Sequence, residues 1–365
     1  TDNLFFSISG DSLQTAAAIN YEIKSTRDIR IRTTDPSGGS YEEAFSITIN
    51  DLTEVPTSPE LVRTVVPGVS SNGWTVVDLG QTYTSPVVLA TPIYPDSPFV
   101  PMVTRVRNAA GSTCEVQIAR VDGLTGTVSC DVSIISVESG VYNSVEHGVT
   151  MEAATYTSTI TAENGNWTGE ARPYQNTYVS PVVVGQVMSA TDPDWSVFWC
   201  HGSTRENPPD ASNLVVGKTV CEDPDITRAN ETIGYIVIES GSGTIEGIAY
   251  TAGVGADQVE GYGNSATGYT YPISGLTSAG AAAVNNAGMD GADGGWAVLL
   301  GSSALTPGAL NVVIAEDLLN DTELSHTNEQ VAYFVVEELP NTAPTDIALS
   351  PSTVAENEDS GTCLL

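Results

Sequence analysis

One acidic strand pattern recurs three times in this chain, and the recurrence limits what the chain can fold into. "ETIGYIVIES" (231–240) returns as "EQVAYFVVEE" (329–338) and, more faintly, as "SCDVSIISVES" (129–139). Each alternates apolar and polar residues and ends on an acid. The segments around them repeat as well. "QTYTSPVVLATPIY" (81–94) matches "NTYVSPVVVGQVMS" (176–189), and "DPDWSVFW" (192–199) matches "ADGGWAVLL" (292–300). "EDPDITRANETIGY" (222–235) matches "EDLLNDTELSHTNEQVAY" (316–333). Residues from 60 to 339 therefore read as three copies of one unit of about 90 residues, a length at which internal self-similarity means stacked or arrayed units.

The runs inside each unit are short, β-branched and bounded by Gly, Pro, Asn and Asp, the signature of strands and turns. Helical periodicity is nearly absent, and "SLQTAAAINYEI" (12–23) is the one helical candidate. The expectation is an all-β chain of tandem antiparallel β-sandwiches. The proline of each "SPVV" sits at a strand entrance, where a missing N–H costs little.

Charge narrows the partners. The chain carries 45 acidic against 12 basic residues, a formal net charge of −33. Such a field opposes nucleic acid and anionic membrane surfaces and is compatible with bound divalent cations or with a plain solvated surface. No run approaches the roughly 18 apolar residues of a membrane span, so no membrane insertion is expected. The abrupt start at Thr1, inside what reads as a domain, suggests a mature, cleaved or excised chain. Five cysteines stand at 114, 130, 200, 221 and 363. Cys114 and Cys130 flank the turn signal "VDGLTG", and Cys200 and Cys221 flank "NPPDAS". Pairs Cys114–Cys130 and Cys200–Cys221 across two hairpins would imply an oxidising setting; buried free thiols are the other reading.

"WTVVDLGQTYTSPVVLATPIYPD", then "MVTRVRNAAGSTCEVQIAR", then "VSCDVSIISVE" resembles the H-type lectin fold of invertebrate agglutinins and discoidin-like proteins. The resemblance rests on framework residues, is fullest in the first copy, and implies a trimeric habit. Three joined copies would then form either a pseudo-trimer or a row. The first 57 residues resemble the back half of a bacterial cadherin-like repeat, an incomplete cadherin- or Ig-like sandwich, through Phe6, Ile8, Gly10, Leu13, Glu22, Asp35, Asp51, Glu54 and Pro56. Asn20 departs from that family, which usually has Asp there. "APTDIALSPSTVAENEDSGT" (343–362) resembles the front strands of the same repeat type. The organisation expected is a cadherin-like end at 1–57, lectin-like units at 58–141, 142–241 and 242–339, and cadherin-like opening strands at 340–365.

The cadherin resemblance implies calcium, a hard ion held by carboxylates, at Glu22, Asp35, Asp51, Glu54 and Glu356. The acidic loops holding Asp192/Asp194 and Asp290/Asp293 are further cation candidates. A sugar site needs an aromatic face beside fixed polar groups. Asp194, Trp195, Trp199, His201 and Arg205 offer one, unless both tryptophans are core. The histidines (147, 201, 326) are scattered and no nucleophile or phosphate-loop motif appears, so no enzyme is expected. The resulting expectation is a non-catalytic structural or adhesive protein of the extracellular space or cell surface. It would be a repeating unit of a fibre or giant adhesin, with copies of itself or adjacent repeats of a longer chain as partners, joined by strand donation or in tandem. The alternative is a carbohydrate-binding module with cell-surface glycans as partners.

Overall fold

The structure is a computed structural model that describes residues 2–10, 12–16, 24–49 and 58–338. It is almost entirely β, with a single helical turn at Ser144–His147 besides a 3-10 turn at Asn3–Phe5 among the described residues. The chain divides into two compact units, Thr1–Val55 and Pro56–Leu365.

The first unit contains two hairpins. Phe6–Ser9 pairs with Ser12–Thr15, so the described start of the helical candidate is a strand. Thr26–Thr34 pairs with Ser40–Thr48. The second hairpin turns at Asp35, whose Oδ1 accepts the N–H groups of Ser37 (2.8 Å) and Gly39 (2.9 Å). Among the described residues of this unit only Arg27 and Ile29 are buried. Leu4, Ile8, Leu13, Tyr41 and Phe45 are all exposed, and Ile8, Leu13, Ile29 and Ile31 line a cavity of about 140 Å³.

The second unit holds three sandwiches with one topology. In the first, the closing strand Ser129–Glu138 lies between Val62–Ser70 and Pro86–Tyr94, and Thr75–Tyr83 with Met102–Arg120 forms the facing sheet. In the second, Glu231–Glu239 lies between Met151–Ser158 and Pro181–Val187, and Val215–Thr219 pairs with Val197–His201 in the facing sheet. In the third, Val331–Val336 lies between Ile248–Val254 and Ala281–Asn286, opposite a sheet of Tyr269–Pro272, Ala309–Ala315 and Trp296–Leu300. The acid ending each closing strand has a physical role. Glu138 accepts the N–H groups of Thr84 and Ser85, Glu239 those of Val179 and Ser180, and Glu337 those of Thr277 and Ser278. Each carboxylate thus satisfies the loop that turns into the strand beside it, a charge-assisted bond stronger than a neutral one.

The sandwiches close into a ring. Leu299 and Leu300 of the third copy pair in parallel with Ile93 and Tyr94 of the first. Cys200 of the second bridges Ala287 of the third. The first copy reaches the second through Gln186 Nε2, which donates to Thr104 O at 3.1 Å, and through Arg105, whose guanidinium donates to the carbonyls of Asp192 and Pro193. At the centre, Ala90, Gly185 and Val284 hold one shared register position, opposite Ile134, Tyr235 and Tyr333. The N–H of Val284 donates to Thr91 Oγ1 (3.2 Å), that of Ala90 to Gln186 Oε1 (3.4 Å), and that of Gly185 to Asn285 Oδ1 (3.1 Å). Each copy caps a strand of the next around a cavity of about 50 Å³. The seam where the chain joins the ring is tied separately. Glu246 accepts the N–H groups of Glu60 and Leu61 (3.0 Å each), and Arg63 Nε donates to Glu337 O at 2.7 Å.

The expected disulfides do not form, since Cys114, Cys130, Cys200 and Cys221 are free and buried. Register explains it. Cys114 faces Val77 in one sheet while Cys130 faces Val69 in another, so no hairpin joins them. Cys200 faces Val216, and Cys221 lies beyond the end of Val215–Thr219. Burial pushes the thiols of Cys114, Cys130 and Cys200 up to about 12, and that of Cys221 well above its ordinary value. Peptide mapping after iodoacetamide treatment should therefore find these four unlabelled in the native chain and all labelled after unfolding. Thr91→Val keeps the shape of the side chain but leaves the Val284 N–H unpaired. It should lower stability to urea by about 1–3 kcal/mol, and an unmoved midpoint would mean the central bonds do not hold the ring.

Candidate functional site

Of the expected calcium residues, Glu22, Asp51, Glu54 and Glu356 lie outside the described residues, and one oxygen of Asp35 is engaged by its own turn. Both tryptophans of the expected sugar-binding face are buried. Trp195 is 6% exposed and packs on Trp296 of the third copy, with ring centroids 5.6 Å apart. Trp199 is 1% exposed, edge-on to Trp167 and stacked on His201. The closing of the ring accounts for this, because the loop before Val197–His201 is packed between copies. His201 is half-buried, burial lowers its pKa, and its Nδ1 lies 2.9 Å from Gly202 O. Arg205 bonds Glu206 and reaches the carbonyls of Asp290 (3.3 Å) and Gly291 (3.4 Å) across the junction with the third copy. Asp194 is exposed, and its N–H donates to Asp192 Oδ1. Asp192 Oδ2 accepts from Ala229 N, so both oxygens of Asp192 brace backbone.

The residues with the most unusual surroundings lie in the third copy. His326 is buried, with its side chain closed off from solvent. Its Nδ1 lies 2.5 Å from Glu316 Oε1 and 3.7 Å from Asp293 Oδ1, and its Nε2 lies 2.9 Å from Glu329 Oε1. Burial pulls this imidazole down, but the bonds to Glu316 and Glu329 outweigh it and hold its pKa up at about 10. Burial raises Glu316. Two stretches supply the set, the segment 316–330 between two consecutive strands and the loop before Trp296–Leu300. Glu316 follows the strand Ala309–Ala315, Asp293 lies in the loop before Trp296–Leu300, Glu329 precedes the closing strand, and His326 lies in the segment leading to it. Gly291 lets the loop approach, since a Cβ there would sit 2.1 Å from His326 Cε1. Among the described residues, Asp293, Glu316 and His326 are the one group whose ligand atoms all lie within 4.8 Å of one another.

A second group of acids borders this one. Asp317 Oδ2 accepts from Glu222 N at 3.1 Å, and Asn164 Nδ2 donates to Glu222 Oε1 at 3.0 Å. Burial, then Asp321, Asp293 and Asp317, raises Glu222 to about 6. Burial also raises Asp317 and Asp290 to about 6, with Asp223 adding to the first and Glu329 to the second.

Sequence reasoning named Asp290 and Asp293 as a cation-binding loop but not Glu316, His326 or Glu329. All three lie within "EDLLNDTELSHTNEQVAY", read only as a repeat. The available signal was a histidine three residues before an acid, with another acid opening the segment.

A scan of family models, a search of curated proteins and a search of solved structures each found no match to the chain.

The raised carboxyls set a pH dependence. Glu222, Asp290 and Asp317 hold protons more tightly when folded than in the unfolded chain, where carboxyls titrate near ~4. Their contribution to stability is complete below about pH 4 and is lost as pH rises through about 6. The melting temperature in chelator-containing buffer should fall between about pH 5 and pH 7.5, and fall less for Glu222→Gln. Identical slopes for the two chains would mean that general repulsion, not this cluster, sets the dependence.

Proposed function

We propose that this chain is a non-catalytic structural and adhesive protein of the extracellular space. In this reading it is a repeating unit of a fibre or giant surface adhesin, with the three-sandwich ring as a rigid body and the flanking cadherin-like segments as joints. The observation that carries the reading is that the described residues of the first unit leave Leu4 exposed on the 3-10 turn and Ile8, Leu13, Tyr41 and Phe45 exposed on two hairpins. Such hairpins bury too little by themselves to be stable, and they carry edges that accept further strands. Residues 343–362, by their resemblance to the front strands of the same repeat type, supply the complement, from a neighbouring molecule or from an adjacent repeat. Calcium held by Glu22, Asp35, Asp51, Glu54 and Glu356 would stiffen the joint. No helix among the described residues is long and apolar enough to cross a membrane.

Electron microscopy and light scattering of the purified chain, with calcium and after chelation, test the reading. End-to-end assemblies should form with the full chain. They should weaken on chelation and vanish when residues 340–365 are removed. Isolated particles in every condition would sink it.

A further inference from the structure

We propose that Asp293, Glu316 and His326 bind one divalent transition ion of the zinc type, with Glu329 as the carboxylate that orients the histidine. The site is independent of end-to-end assembly, since every residue in it belongs to the third sandwich.

The donor atoms come from two separate loops, Asp293 from one and Glu316 with His326 from the other, and already converge within 4.8 Å. A second observation points to a ligand. Glu316 is 6% exposed, and its Oε2 is buried with no hydrogen-bond partner. A buried carboxylate oxygen left unpaired is unfavourable, and a cation beside it removes the penalty. Charge points the same way. Glu316, Glu329 and Asp293 surround one imidazole, so even a protonated ring leaves an excess of negative charge.

Glu329 completes a familiar metal-site arrangement. Its Oε1 accepts from the Asp290 and Gly291 N–H groups and lies 2.9 Å from His326 Nε2. With the proton held on Nε2, Nδ1 faces Glu316 and Asp293 as a lone-pair donor, which is how second-shell carboxylates fix ligating histidines. One imidazole with two carboxylates suits zinc, manganese or cobalt; calcium prefers an all-oxygen shell. Asp293, with its side chain 35% exposed, leaves the ion a route to solvent and room for water ligands.

The second sandwich provides an internal comparison. There Glu231 takes the place of Glu329, accepting the N–H groups of Thr191 and Asp192. Three residues before it stands Arg228, a permanent cation that bonds Asp223 Oδ2 at 2.6 Å and Trp195 O at 2.7 Å. In the third sandwich His326 holds that position, three residues before Glu329. A fixed charge in one copy is replaced in the other by a side chain able to ligate.

The full chain, stripped with chelator and dialysed, would be titrated with zinc chloride by calorimetry and with cobalt(II) by visible absorption. One high-affinity equivalent is expected, together with cobalt bands of a nitrogen- and oxygen-ligated ion and a raised melting temperature. A large excess of calcium should not displace the ion. Asp293→Asn, at the exposed edge of the site, should weaken zinc binding at least tenfold while the metal-free chain melts normally, and Glu316→Gln and His326→Gln should abolish the cobalt bands. Zinc bound equally well by all three variants, or displaced by calcium, would show attachment to the general acidic surface and overturn the proposal. Absence of binding by the unaltered chain would overturn it as well.

Discussion

Three backbone N–H groups at the centre of the ring have no partner in their own sandwich and find one in the next. Val284 donates to Thr91, Ala90 to Gln186, and Gly185 to Asn285. The arrangement is cyclic, so no sandwich can be removed without leaving a buried donor in one neighbour and a buried acceptor in the other. The parallel pairing of Leu299 and Leu300 with the first copy, and the packing of Trp195 on Trp296, follow from holding these axial strands together. The apolar clusters reflect it too. One runs continuously through all three copies, from Val88 through Ile236 to Phe334.

The acidic composition acquires a different meaning in this setting. Several of the 45 acids serve backbone donors instead of forming a plain solvated surface. Glu138, Glu239 and Glu337 each accept backbone N–H groups from a turn, Glu152 does so for Gln175 and Asn176, and Glu246 for Glu60 and Leu61. A short-stranded β chain has many loops and many unpaired donors, and a carboxylate can accept from two at once. The Asp293–Glu316–His326 group differs because Glu316 keeps an oxygen that no donor reaches.

The all-β class was legible in the alternating, β-branched runs and in the glycines and prolines between them. The axial bonds were not, because Thr91, Gln186 and Asn285 share a position and a task but no residue type. A threonine hydroxyl and two side-chain amides supply the same acceptor, so a repeat comparison by identity passes over them. The disulfide expectation failed because distance along a chain around a turn says nothing about register. Trp195 and Trp199 read as core more readily than as a platform, and both are buried. The histidine group was missed although Glu316, His326 and Glu329 share one stretch, because only the fold brings Asp293 to them and turns their spacing into a cluster.

The seam has a mechanical meaning. The start of the strand that begins the ring, Val62–Ser70, is tied to the end of the one that closes it, Val331–Val336, through Arg63 and Glu337 O, and Glu246 of the third sandwich holds Glu60 and Leu61. A pull applied between Leu61 and Glu337 would therefore meet these bonds first. The three sandwiches hang beside the line of force instead of lying in series along it. The seam bonds act as a shunt, and the axial bonds feel no load until the seam has parted. Three hydrogen bonds thus stand between such a pull and the ring's interior.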